Sequence, residues 1–102
     1  MEKNILIICE TGISAALLVS KMLEVVRARQ LDYDIDYAPY ARLQEKINFK
    51  DYDAFLLTPQ VARYQDKIAE ALEPETGTIY YIQPEDFQYM NVEKIVRQVE
   101  EA

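Results

Sequence analysis

The sequence predicts an α/β fold built on an open parallel sheet, on three observations. Ile5-Leu6-Ile7-Ile8 and Ala54-Phe55-Leu56-Leu57 are short and continuously apolar, as strands buried on both faces are. Asp32-Tyr33-Asp34-Ile35-Asp36-Tyr37 alternates strictly, three acids on one side and three large apolar side chains on the other, the pattern of a half-exposed strand. Segments of helical period separate these strands. Strands that alternate with helices imply right-handed crossovers, with helices on both faces of the sheet.

After the first strand, Glu10 to Ser14 form a short connection into a helix whose Ala15, Leu18, Val19, Met22 and Val26 fall on one face. The alternating strand follows, its aspartates guarding an edge against pairing with another chain. Pro39 closes it, and Ala41 to Ile47 reads as a short helix. The second fully buried strand ends at Thr58-Pro59, and proline suits a strand exit or the start of a helix. Val61, Tyr64, Ile68 and Leu72 mark one helix face, broken at Glu73-Pro74-Glu75-Thr76-Gly77. Thr78 to Ile82 is a fourth strand, Pro84 to Tyr89 a helical turn, and Val92, Ile95, Val96 and Val99 the stripe of a terminal helix. With the two buried strands central, the strand order is 2-1-3-4, a flavodoxin-like topology. Its switch point lies between the first and third strands, where ligands bind beyond the carboxyl ends.

Bulk properties narrow the function. One domain over residues 1–102 is expected, large enough to fold without disulfides or a structural metal. The net charge of −7 and the lack of a Lys/Arg patch argue against a nucleic-acid partner. The apolar runs are too short to span a bilayer, and Met1-Glu2-Lys3-Asn4 opens no signal peptide, so neither membrane insertion nor export is expected. The single cysteine suits a reducing compartment, and a cytoplasmic location follows. The absence of histidine removes Ser-His-Asp triads, Cys-His proteases and most zinc sites. No metal and no cofactor are expected.

Cys9 ends the first strand at the switch point, facing a loop that runs into a helix N-terminus. Such a loop offers unpaired amides and the positive end of the helix dipole to an anion. Gly12 permits a turn that a Cβ would resist, and Ser14 can cap the helix or donate to the anion. Amides facing the thiol would favour its deprotonation and make Cys9 a nucleophile. Taken singly, the same residues also read as a buried small hydrophobe, a plain turn and a plain cap.

The segment Ile8-Cys9-Glu10-Thr11-Gly12-Ile13-Ser14 leading into Leu17-Leu18-Val19-Ser20-Lys21-Met22 resembles the enzyme IIB components of the lactose/cellobiose class of sugar phosphotransferase systems. Leu57-Thr58-Pro59-Gln60-Val61-Ala62 is similar to that family's second signature, and length and element order agree from end to end. The resemblance implies a phosphocysteine carrier. Cys9 would accept a phosphoryl group from a phosphohistidine of a IIA partner and pass it to a sugar held by the membrane IIC component. It also implies a phosphate cradle at Glu10, Thr11, Gly12, Ile13, Ser14, Ala15 and Ala16, with Pro59 and Gln60 on the rim. Ala15 and Ala16 stand where family members often carry hydroxyl residues, which leaves most of the binding to backbone amides. Glu10 beside a dianion is repulsive unless it points to solvent, where it would help select the partner. Ile13 on the loop crest is a candidate apolar docking point.

Three other readings share the fold. A low-molecular-weight tyrosine phosphatase needs an arginine six residues after its cysteine, and Ala15 stands there. A thiol redox switch lacks a resolving cysteine. A non-enzymatic regulatory or interaction domain that has lost efficient transfer is the alternative that Glu10, Ala15 and Ala16 leave open.

Overall fold

The computed structural model describes residues 2–101, with the Ile13 side chain outside that description. Four strands, β1 (Lys3–Cys9), β2 (Tyr33–Pro39), β3 (Ala54–Leu57) and β4 (Thr78–Tyr81), form one parallel sheet in the order β2-β1-β3-β4. The expected topology is the observed one, and the two continuously apolar strands are its centre. Helices α1 (Ile13–Ala28), α2 (Leu43–Phe49), α3 (Gln65–Leu72), α4 (Pro84–Gln88) and α5 (Val92–Glu100) connect or flank the strands. Short 3-10 turns at Tyr40–Arg42 and Pro59–Tyr64 lead into α2 and α3.

Because side chains alternate along a strand, the central pair builds two cores. On one face Ile5, Ile7 and Cys9 join Ile35, Ala54 and Leu56 under Leu18, Met22 and Val26 of α1 and Ile95, Val96 and Val99 of α5. On the other, Leu6, Ile8, Phe55 and Leu57 pack with Leu43 and Ile47 of α2, Val61, and Ile68 and Leu72 of α3. Burial of this apolar surface at about 25 cal/mol per Å² is the main force that holds both layers to the sheet. Among the described residues no helix is long and apolar enough to cross a membrane.

The edge strand β2 keeps its predicted faces. Ile35 is buried, with Tyr33 and Tyr37 packed on the same core. Its acids do more than guard an edge: Asp36 pairs with Lys46 at 2.8 Å and Asp34 pairs with Lys50, tying β2 to α2 and the residue after it. The helix expected across Val61 to Leu72 is split into the 3-10 turn and α3. The spacing explains this, since Val61 to Tyr64 is three residues, the 3-10 period, whereas Tyr64, Ile68 and Leu72 step by four. At the entry to β4, a Cβ on Gly77 would stand 2.5 Å from the Tyr52 carbonyl oxygen, so only glycine lets the strand approach β3 this closely.

Candidate functional site

Chain direction places the carboxyl ends of all four strands on one rim, and the switch point falls between β1 and β3. From β1 the chain leaves to one face through α1, and from β3 it leaves to the other through α3. Cys9 closes β1 at this divergence, paired with Pro39 on one side. On the other side Thr58 continues β3 by donating its amide to the Ile8 carbonyl at 3.1 Å.

Gly12 sets the loop. Its φ of 90° lies in the left-handed region, and it serves as the N-cap of α1 with no side-chain cap bond. The Tyr37 ring underlies it, 3.4 Å from where a Cβ would stand. Ser14 therefore lies inside the first turn and does not cap the helix as expected; the glycine turn puts the cap two residues earlier. The first helical bond runs from the Ala16 amide to the Gly12 carbonyl at 3.0 Å. The amides of Ile13, Ser14 and Ala15 precede it and have no acceptor within the helix. Ala15 is fully buried against the core, which accounts for the absence of a hydroxyl there, while Thr11 and Ala16 are exposed.

The Cys9 thiol is 1% exposed and donates to the Ala38 carbonyl at 3.4 Å. Burial pushes its pKa above the ordinary thiol value, and the bonds from the Gly12 amide and its own amide pull downward without prevailing. The expectation of a readily deprotonated thiol is thus overturned for this state. Of the loop amides only that of Gly12 acts on the sulfur, and desolvation of the thiolate outweighs it.

Glu10 does not point freely to solvent. It reaches across the rim to Arg63 in the 3-10 turn after β3 and forms an ion pair. The Arg63 guanidinium lies 4.9 Å from the Tyr64 ring centre, and Tyr64 stacks on Tyr40 with centres 4.5 Å apart and planes at 7°. The Arg63 guanidinium thereby sets a positive charge beside the carboxylate that follows the thiol in sequence. Pro59 is half-buried and Gln60 exposed at the start of the same turn. A cleft of about 210 Å³ opens beyond β3 and β4, lined by Thr58, Pro59, Ala62, Tyr81, Gln83 and Pro84 among others.

Residues 4–98 match the family model of the lactose/cellobiose-specific IIB subunit of the phosphotransferase system. The chain belongs to this family. Among solved structures, this IIB chain is similar to the lactose-specific IIB component domain of Streptococcus pneumoniae, with a TM-score of 0.80 and 16% identity over 96% of this chain and 97% of that one. It is also similar to the cellobiose-specific phosphotransferase IIB component protein of Borrelia burgdorferi, with a TM-score of 0.79 and 26% identity over 99% and 91%. No curated protein matches the sequence.

For a IIB chain the rim holds three groups that sequence reasoning did not assign: Arg63, the Tyr40–Tyr64 stack and Thr58. Arg63 finds Glu10 across 53 positions of sequence, a pairing no local pattern announces. Thr58 carried a signal, because it is the position that follows a buried strand at the switch point. Its side chain is 1% exposed and its hydroxyl oxygen has no hydrogen-bond partner.

Proposed function

We propose that Cys9 is a phosphocysteine carrier that takes a phosphoryl group from a phosphohistidine of a IIA component and delivers it to a sugar bound by a membrane IIC component. The single observation that carries this is that a IIB chain's only cysteine ends β1 at the switch point, where the chain turns at Gly12 into the N-terminus of a helix. The sugar belongs to the cellobiose, lactose and chitobiose class, residues 1–102 serve as one carrier domain, and the work is done in the cytoplasm.

In the accepting step the Cys9 sulfur attacks phosphorus, an S–P bond forms and the N–P bond breaks. The bonding pair stays on the imidazole nitrogen, and the thiol proton ends there. A thiol that burial keeps protonated at rest suits this exchange, since its proton is released only to the leaving group. Transfer then requires Sγ to leave the Ala38 carbonyl and turn toward the donor.

Placement and charge stabilisation suffice for in-line phosphoryl transfer. The amides of Gly12, Ile13, Ser14 and Ala15 serve the sulfur side of the phosphoryl group, and Glu10 and Thr11 extend the cradle through their backbone amides. Ala16, also expected in the cradle, gives its amide to the Gly12 carbonyl and only closes the first helical turn behind it. The Glu10 carboxylate is paired with Arg63. Pro59 and Gln60 form the rim that the partners approach. Delivery of labelled phosphoryl groups from phosphoenolpyruvate to sugar, in membranes that contain IIC and with the general phosphotransfer proteins and IIA present, should need this chain and fail with Cys9→Ser. Delivery that proceeds equally with Cys9→Ser would overturn the assignment.

The burial of Cys9 favours a second reading, a regulatory domain of the same fold in which the thiol is filler. That domain would accept no phosphoryl group from any IIA.

A further inference from the structure

We infer that the Thr58 hydroxyl is a binding group for the phosphoryl moiety carried by Cys9, a role that rests on the carrier reading above. The register places the two side by side. Ile8 pairs with Leu57 in the parallel ladder, so Cys9 and Thr58 are the next step on adjacent strands. Thr58 keeps extended backbone, with φ −71° and ψ 156°, and its amide continues the ladder to Ile8. The pleat therefore carries on through it, and Thr58 takes the face of Ala54 and Leu56, which is also the face of Ile5, Ile7 and Cys9.

Two polar groups then flank the sulfur. On the β2 side is the Ala38 carbonyl, an acceptor that the thiol now uses. On the β3 side is the Thr58 hydroxyl, buried and without a partner. A buried hydroxyl to which the protein itself offers no partner is free to donate to an acceptor that arrives beside it. Adjacent strands lie about 4.8 Å apart, too far for the hydroxyl to bond a sulfur turned toward β2. Phosphoryl oxygens extend beyond the sulfur and close that gap.

The chemistry selects the partner in each state. A thiol is a donor and suits a carbonyl; a phosphoryl dianion only accepts, is repelled by that carbonyl and suits a hydroxyl that can donate. Phosphorylation thus turns the Cys9 side chain from Ala38 toward Thr58. In this chain the hydroxyl supplies from β3 a side-chain donor that Ala15 and Ala16 do not supply from the loop.

The test is the equilibrium partition of the phosphoryl group between IIA and this chain, measured by intact mass for wild type, Thr58→Val and Thr58→Ser. Thr58→Val should move the partition about tenfold toward IIA, the effect of losing one hydrogen bond to a charged group. Thr58→Ser should stay near wild type. Thermal melting separates this from simple structural damage: Thr58→Val breaks no hydrogen bond to another protein group and should melt close to wild type. An unchanged partition in Thr58→Val, or an equal shift in both variants, overturns the role of Thr58 and leaves the carrier reading intact. A wild-type chain that gains no phosphoryl group overturns both.

Discussion

Replacing Gly12 with alanine tests the loop that positions the site. The substitution acts through two effects of different size. The new Cβ would stand 3.4 and 3.9 Å from Cε2 and Cδ2 of Tyr37, contacts that call for little adjustment. The backbone carries the main cost, because a φ of 90° is left-handed and a Cβ there costs about 1–2 kcal/mol. For a domain near 100 residues each kcal/mol lowers Tm by about 4–8 °C, so Gly12→Ala should melt roughly 4–16 °C below wild type. Gly12→Asn should lose less, since asparagine tolerates this region better. Both variants should also accept phosphoryl groups more slowly, because relief of the strain moves the Gly12 amide that acts on the Cys9 sulfur. Calorimetry that placed Gly12→Ala within about 1 °C of wild type would refute the strained-loop geometry.

Three further outcomes follow from the charges and the thiol. Burial pushes the Asp36 carboxyl upward, but the hydrogen bond from Lys46, the Tyr37 amide and the charges of Lys46 and Lys50 hold it below its ordinary value. A depressed folded pKa stabilises the fold fully above about pH 5, and that contribution is lost as pH falls below about 4. Urea titrations across that range should show a shallower acid limb for Asp36→Asn, and an unchanged limb would count against the pair. Alkylation of Cys9 by iodoacetamide in the native chain should rise with a midpoint above the ordinary thiol value of about 8.5, because burial raises the thiol; a lower midpoint would show that the loop amides prevail after all. Glu10→Gln should leave the melting temperature close to that of wild type, since an exposed ion pair is screened by solvent and adds little to stability. The same variant should alter the rate of phosphoryl acceptance differently for different IIA donors, and equal rates with every donor would remove Glu10 from partner selection.

The fold was legible because its signals are local and redundant. The unalternating runs at Ile5 to Ile8 and Ala54 to Leu57 suit strands covered on both faces, and the alternation from Asp32 to Tyr37 suits a half-exposed strand, which in a sheet otherwise covered on both faces falls at the edge. Boundaries were less so. Strand β2 runs on to Pro39, which pairs with Cys9, because proline at an outer edge forfeits no ladder bond that a neighbour needs. At the site, the strand end and the helix start locate Cys9 and the loop, but what surrounds the sulfur depends on neighbours distant in sequence. The Ala38 carbonyl accepts from the thiol, and burial raises the thiol pKa where the amides alone would lower it. Gly12 took the cap position that a Ser/Thr rule assigns to Ser14, since a left-handed N-cap leaves no place for that side-chain bond. The Glu10–Arg63 pair belongs to tertiary structure entirely.

The central claim is that Cys9 carries a phosphoryl group, and site mapping tests it most directly. After incubation with phosphoenolpyruvate, the general phosphotransfer proteins and a lactose/cellobiose-class IIA, the wild-type chain should gain the mass of one phosphoryl group. Tryptic mapping should place it on Cys9 within residues 4–21, and Cys9→Ser should gain none. A wild-type chain that gains no phosphoryl group from any such IIA, or one modified at Thr11 or Ser14 with Cys9 free, would contradict the account.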